Sequence, residues 1–290
     1  MDEVEDVAAR FTGARPVGVW ALGGGDAGAA CTVRLDDGRS VFVKTNPPEL
    51  AGASAAEAAS LTWLGEPGAV PVPAVHGSTD RHLVTEHLDA GAPTGAAAER
   101  LGRGLARMHA AGAAAHGSPP PDGPADAWIG LAPMRNEPCA SWPEFYAEHR
   151  VRPYLRRAVD EGLITQDETA VFEQVCELLP ELPGAAEAPS RLHGDLWSGN
   201  VHWASDGAWL IDPAAHGGHR ETDLAMLALF GCPHLEQVLG AYQEVSPLAE
   251  GWRERVGLHQ LFPLLVHTVL FGGGYARQAV RAARGALRLR

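Results

Sequence analysis

Apolar residues recur at Val4, Val7, Ala8 and Phe11, the spacing of a short amphipathic helix. Beyond it the pattern changes to extended chain over 17–22, 30–35 and 40–44. Asp36-Asp37-Gly38 joins the last two runs as a hairpin turn, and the glycine-rich stretch Gly23-Gly24-Gly25-Asp26-Ala27-Gly28 loops between the first two. Residues 54–64 predict a helix, with Ser54 as N-cap and Glu57 at the third helical position, a capping-box pattern. Short strands are expected over 74–77 and 82–86, so residues 1–86 predict a small, mostly antiparallel sheet with one inserted helix. The helical period then takes over at 95–113, where Leu101, Leu105 and Met108 share a stripe. Residues 116–140 are rich in Pro and Gly and read as one long structureless loop, a length that is often functional. Helices are expected over 141–162 and 166–180, short extended runs over 191–213, and helices again from 221 onward.

At 290 residues the chain has room for two domains, which the change of pattern places at 1–86 and 87–290. The 36 acidic and 23 basic side chains give a net charge of −13, which argues against a nucleic-acid or anionic-membrane partner held by bulk charge. Arg277, Arg281, Arg284 and Arg288 share a helical face and are expected to be solvated. Cys31, Cys139, Cys176 and Cys232 stand far apart, with no zinc or disulfide spacing, so a reduced, cytoplasmic setting is expected. The acidic start MDEVEDVAARF lacks a signal-peptide layout, and the longest apolar stretch, 261–271, contains His267 and is too short to span a bilayer. Among the 23 basic residues only Lys44 is a lysine. A site that needs a compact ammonium rather than a planar guanidinium would account for its survival, as would chance.

The chemistry concentrates in His193-Gly194-Asp195-Leu196-Trp197-Ser198-Gly199-Asn200, followed by Leu210-Ile211-Asp212. Phosphoryl transfer needs a carboxylate to orient a hydroxyl and hard oxygen ligands for magnesium. Asp195 suits the first role, and Asn200 and Asp212 the second. Lys44 ends an extended run just after the glycine-rich hairpin, where it can reach nucleotide phosphates beneath Gly23, Gly24, Gly25 and Gly28. Glu57, on the next helix, is the natural partner for its ammonium, or else only a capping acid. Glu86, His87 and Leu88 join the two halves and would offer backbone groups to an adenine. Trp197 is either a stacking platform for a sugar or a core residue. His216 and His219 lie three apart, a spacing that suggests a metal, but no third ligand is expected nearby. His109 reads as a packed, hydrogen-bonded residue, and Asp223 as a brace for the 193–200 loop.

The order of these features resembles the protein-kinase-like fold, an α+β architecture with a small antiparallel-sheet lobe and a larger helical lobe. In detail the chain resembles the fructosamine kinase (ketosamine-3-kinase) family. The carrying strings are GGGDAGAACTVRL, VFVKTN, AEAASLTWL, LARMHAAG, WPEFYAEHRVRPYL, RLHGDLWSGNV and LIDPAAHGGHRETDLAMLALFG. HGDLWSGN with the later G-H-x-E-x-D-L-A distinguishes that family from aminoglycoside phosphotransferases and choline kinases. The resemblance implies phosphorylation of the 3-hydroxyl of a free or protein-bound ketosamine, with ATP and Mg2+, places His216 toward the substrate, and makes His219 structural or substrate-facing. It leaves two alternatives open, a kinase for another hydroxylated amine such as an aminoglycoside and a catalytically silent ATP-binding module. Two departures stand out. His216-Gly217 replaces the two aromatics that members often carry before G-H-x-E, and Asp26 occupies the position after the glycine triplet where some members have a redox-active cysteine. The resemblance carries no oligomeric state over to this chain.

Overall fold

The computed structural model describes residues 2–25, 28–182 and 186–289. The chain opens with helix α1 (Asp2–Thr12) and strands β1 (Pro16–Gly25), β2 (Gly28–Leu35) and β3 (Ser40–Thr45). Helix α2 (Ala53–Gly65) follows, then β4 (Val75–Ser78) and β5 (His82–Glu86). The five strands form one antiparallel sheet in the order β1-β2-β3-β5-β4. Cys31, Val33 and Leu35 of β2 share a face with Val41 and Val43 of β3, and α1 covers that face with Ala8, Val4, Val7 and Phe11. The alternate residues of β3, Phe42 and Lys44, therefore face the other way, into a cleft.

The start of α2 corrects the capping-box expectation. Gly52, in the left-handed region at φ 89°, is the N-cap, and no side chain caps the helix. Ser54 lies inside the first turn and is buried, where its Oγ accepts a 2.9 Å bond from Asn46 Nδ2. Glu57 is thereby released from any capping role.

The larger part begins with α3 (Gly95–Ala110). The long loop expected over 116–140 contains a hairpin, β6 (Asp126–Ile129) and β7 (Ala132–Arg135). Its strands have four residues each and β7 includes Pro133, so the alternation of buried Ala127, Ile129, Ala132 and Met134 is too short to stand out in sequence. The helix expected over 141–162 is built in three pieces, α4 (Trp142–Phe145), a π-helical turn (Tyr146–Val151) and α5 (Arg152–Asp160). Pro153 has no N–H to offer the His149 carbonyl four residues back, and Arg150 Nη1 donates to that carbonyl instead at 3.0 Å. Then come α6 (Gln166–Leu178), the short strands β8 (Ser190–Leu192), β9 (Val201–Ala204), β10 (Gly207–Leu210) and β11 (His216–Gly218), and helices α7 (Arg220–Leu229), α8 (Leu235–Val245), α9 (Trp252–His259), α10 (Leu261–Phe271) and α11 (Gly274–Ala286).

Two apolar clusters hold this part together. One joins α3, α7 and α8 to β9 and β10, and the other joins α4–α6 and α9–α11 to the β6–β7 hairpin. Helix α2 contributes to both, with Trp63 and Leu64 in the first and Ala56 in the second. The four cysteines are free thiols. Among the described residues no helix is long and apolar enough to cross a membrane.

Candidate active site

A cleft of about 560 Å3 lies between the sheet and the helical part, and Lys44, Glu57, Asp195, Asn200 and Asp212 all line it. Register places Lys44 opposite Ala30 on one side and Leu83 on the other. From there its ammonium donates to Glu57 Oε2 at 2.8 Å and to Asp212 Oδ1 at 3.1 Å. One cation thus joins β3, α2 and the segment after β10.

The 193–200 loop leaves β8 through a tight turn. Gly194 sits at φ 81°, and a Cβ there would lie 2.0 Å from the Ala214 carbonyl, so no other residue fits. Asp223 of α7 holds the turn from behind: its carboxylate accepts from His193 N at 2.7 Å and Gly194 N at 3.0 Å. His109 Nε2 donates to the same carboxylate at 3.1 Å and His109 Nδ1 accepts from the Tyr242 hydroxyl, so His109 is the packed residue the sequence suggests. His193 is neutral, its pKa lowered by burial; Nε2–H donates to the Ile211 carbonyl at 3.0 Å and Nδ1 accepts from Asp195 N at 3.2 Å. Asn200 Nδ2 donates to the Asp195 carbonyl at 2.8 Å, to Asp195 Oδ2 at 3.0 Å and to the Asp212 carbonyl at 3.4 Å. This orients the amide so that Asn200 Oδ1 and Asp195 Oδ1 are both without a hydrogen-bond partner among the described residues. Asp212 itself is in the left-handed region, at φ 51°.

Charge is distributed unevenly over these groups. Burial opposes the Lys44 ammonium, but Glu57 and Asp212 outweigh it and hold its pKa above the ordinary value. Burial pushes the Glu57 carboxyl up, against the pull of Lys44. Asp212 stays below the usual carboxylate range, because Lys44 overcomes the effect of burial. Asp195 is raised to about 7, first by burial and then by the charges of Asp212 and Asp223, with the Asn200 hydrogen bond opposing.

Comparison with known proteins agrees with this geometry. The sequence matches the fructosamine kinase family over residues 4–288. The chain belongs to that family. A crystal structure of a candidate fructosamine-3-kinase from Thermobifida fusca is 50% identical and superposes with a TM-score of 0.94 over 99% of both chains. The chloroplastic protein-ribulosamine 3-kinase of Arabidopsis thaliana is 32% identical over 93% of this chain and 83% of its own. A macrolide 2'-phosphotransferase from Brachybacterium faecium, 18% identical with a TM-score of 0.62 over 98% of both chains, shares the kinase-like fold.

Within this fructosamine kinase the other expected residues fall into three groups. Gly23, Gly24, Gly25 and Gly28 lie on the β1–β2 hairpin and Gly23 lines the cleft, while Asp26 and Ala27 fall outside the described residues. Glu86 ends β5, and His87 and Leu88 lead toward α3; none of the three lines the cleft. Trp197 does line it and is 38% exposed, which excludes a core role. Its indole lies over Gly199, where a Cβ would come within 2.2 Å of the ring. The third group corrects the substrate-facing expectation. His216 is buried, donates through Nδ1 to the Ala214 carbonyl at 2.9 Å, packs on Phe145, and has its pKa pushed down to about 3 by burial. His219 is buried as the N-cap of α7, against Trp142 and His259. Folding also brings Glu221 and His259 next to His219, within 4.8 Å, contrary to the expectation of no third ligand. Arg255 nonetheless binds both Glu221 oxygens, at 2.6 and 3.0 Å, and supplies the positive charge a metal would bring.

Nothing in the sequence marks the rest of the cleft lining. Trp128, Ile129 and Gly130 of the β6–β7 hairpin, with His267, Leu270 and Phe271 from the end of α10, complete the cleft. His267 donates through Nδ1 to the Pro263 carbonyl at 2.8 Å and packs among Phe230, Phe271 and Tyr275. Phe230 in turn meets the edge of Trp197 at 6.1 Å.

Proposed function

We propose that this kinase transfers the γ-phosphoryl group of ATP to the 3-hydroxyl of a ketosamine, the sugar adduct of a glycated amine. The observation that carries the reading is the meeting of Lys44, Glu57, Asp195, Asn200 and Asp212 in one cleft of a fructosamine kinase family member. Lys44 anchors the phosphates and Glu57 positions its ammonium. Asp195 orients the attacking hydroxyl and accepts its proton through Oδ1, which no group among the described residues engages. The donor set of Asn200 Oδ1 and the Asp212 carboxylate fits a hard divalent cation such as Mg2+. When bound, that ion would neutralise charge on the transferring phosphates. Trp197 offers an aromatic face to the apolar side of the sugar. Residues 1–86 form the nucleotide lobe and 87–290 the catalytic and substrate lobe.

The product chemistry separates this reading from its rivals. In a ketosamine C1 carries the amine and C2 the carbonyl, so enolisation toward C1 gives a C1–C2 double bond. A phosphate on C3 is then allylic. Its C–O bond breaks, inorganic phosphate departs, and hydrolysis at C1 frees the unmodified amine and a deoxydicarbonyl sugar. Time-resolved phosphorus NMR with ATP, magnesium and a glycated amine should show a phosphomonoester that decays to inorganic phosphate. Mass spectrometry should show the parent amine returning. A phosphorylated product stable for days at neutral pH, or turnover of aminoglycosides only, would overturn the assignment.

A further inference from the structure

Helix α2 carries Glu57 but ends without a cation of its own. No basic residue lies in its last turn, and no side chain caps its first. The carbonyls of a helix C-terminus lack intrahelical partners and carry partial negative charge. Arg191, from β8 in the catalytic half, fills that place from outside the helix. Its Nη1 donates to the Trp63 carbonyl in the last turn of α2, and to Glu66 Oε2 just beyond at 2.9 Å. Its guanidinium lies 4.6 Å from the centre of the Trp63 ring, and Nε reaches the Gly112 carbonyl at 3.5 Å. The residue is buried, at 9% exposure. A second, weaker tie joins the same helix to the segment after Asp212, where Ser60 Oγ accepts from Ala215 N at 3.3 Å.

Arg191 therefore connects two parts of the site that are far apart in sequence. It stands four residues before Asp195 on the strand that launches the catalytic loop, and it binds α2 six residues after Glu57. At about 1.5 Å per residue, Glu57 and the Arg191 contact are roughly 9 Å apart along one rigid helix. We propose that Arg191 is a positioning residue for phosphoryl transfer, fixing the axial register of α2, and with it the Lys44–Glu57 pair, against Asp195 and Asp212. An arginine is needed because a lysine cannot stack on Trp63 and reach both acceptors in one plane. The inference rests on the reading of Lys44 as the phosphate anchor.

The test is steady-state kinetics with direct Mg-ATP binding and melting curves for Arg191→Gln, Arg191→Lys and Glu66→Gln. A misplacement of about 1 Å in a reacting site can cost ~100-fold in rate. Arg191→Gln should raise the KM for ATP by about tenfold and lower kcat, with the ketosamine KM within about twofold of the parent. Arg191→Lys should do the same to a lesser degree, and it keeps the test open if the glutamine variant fails to fold. Glu66→Gln should change little, because the Trp63 carbonyl remains bound. Lower melting temperatures with both Michaelis constants unchanged would reduce Arg191 to a structural role and overturn the proposal, as would an equal loss in Glu66→Gln. A parent enzyme that ignores ketosamines would instead defeat the functional reading, while Mg-ATP binding by the variants would still decide the role of Arg191.

Discussion

The two walls of the cleft are built by different means. On the catalytic wall every polar group is fixed by another: Asp223 holds the backbone of His193 and Gly194, His193 holds Asp195 N, and Asn200 joins Asp195 to Asp212. The other wall is aromatic and partly open: Trp197, which the loop itself contributes, is 38% exposed and meets Phe230, and Phe230 leads through His267 to Phe271, 51% exposed, by ring contacts. Hydrogen bonds specify distance and direction, as a transferring phosphoryl group requires. Ring faces tolerate a range of poses. The chemistry is thus assigned to the rigid wall and the choice of substrate to the adaptable one, a division that mutations can test.

The largest effects should come from the rigid wall. Asp195→Asn removes the proton acceptor and should lower kcat by roughly a hundredfold or more, while Mg-ATP binding stays near that of the parent. Asp212→Asn should instead weaken magnesium-dependent nucleotide binding, read by calorimetry with and without the metal. Equal nucleotide affinity in both variants and the parent would refute the assignment of Asp212. Lys44→Arg keeps the charge but replaces a point cation with a wide fork between Glu57 and Asp212. Turnover should fall severely with the melting temperature little changed, and near-normal activity would remove Lys44 from the phosphate site.

The adaptable wall should respond more mildly. Trp197→Ala should raise the ketosamine KM by about tenfold, a loss of the size expected for one aromatic contact, and leave the KM for ATP alone. Gly199→Ala should do the same indirectly, because its Cβ would displace the indole. An unchanged ketosamine KM in both would show that the sugar does not rest on this ring.

The same contrast explains what could be read from the sequence. Asp195, Asn200 and Asp212 were legible because they recur at short spacings around one loop, and Lys44 because it is the only lysine and ends the run after the glycine-rich hairpin. Glu57 was legible only in part: its pattern suggested a cap, and only the left-handed Gly52 and the Asn46–Ser54 bond reveal that the cap lies elsewhere. Apart from Trp197, which the loop motif carries, the adaptable wall was not legible, because its residues come from distant segments that each look ordinary. Residues 261–271 read only as an apolar stretch in a helical region, and nothing local marks His267 and Phe271 as the ones left facing the cleft. Strands of four residues around Gly130 are too short for a period to emerge. The resemblance misled at His216 and left a structural and a substrate-facing role open at His219; burial against Phe145, and against Trp142 and His259, takes both away from the substrate.

Behind both walls lies a support whose loss should leave the chemistry least altered. Glu221, in the first turn of α7, is buried and pairs with Arg255 at 2.6 Å and with His259 at 3.3 Å. Burial works against its charge, yet hydrogen bonds from His259 and Arg255 hold its pKa at about 2, below the ordinary 4.5. Because the folded value is depressed, the group contributes its full stability above pH 4.5 and loses it progressively as pH falls toward 2. A shift of that size corresponds to roughly 3 kcal/mol. Glu221→Gln should therefore lower stability at neutral pH by about 3–5 kcal/mol, since Arg255 is left buried without its partner. The variant should also show a flatter fall in melting temperature between those two pH values than the parent. Below the folded pKa the Glu221 carboxyl is protonated in both states of the parent, so the stability gap between the two proteins should narrow. Per folded molecule, kcat and both Michaelis constants should stay within about twofold, because Asp223 keeps its own hold on the catalytic loop. Parallel melting curves for parent and variant across the acid range would show that other carboxylates govern acid unfolding. A large fall in kcat would mean that the base of α7 transmits strain to the rigid wall, and the separation between support and chemistry would fail.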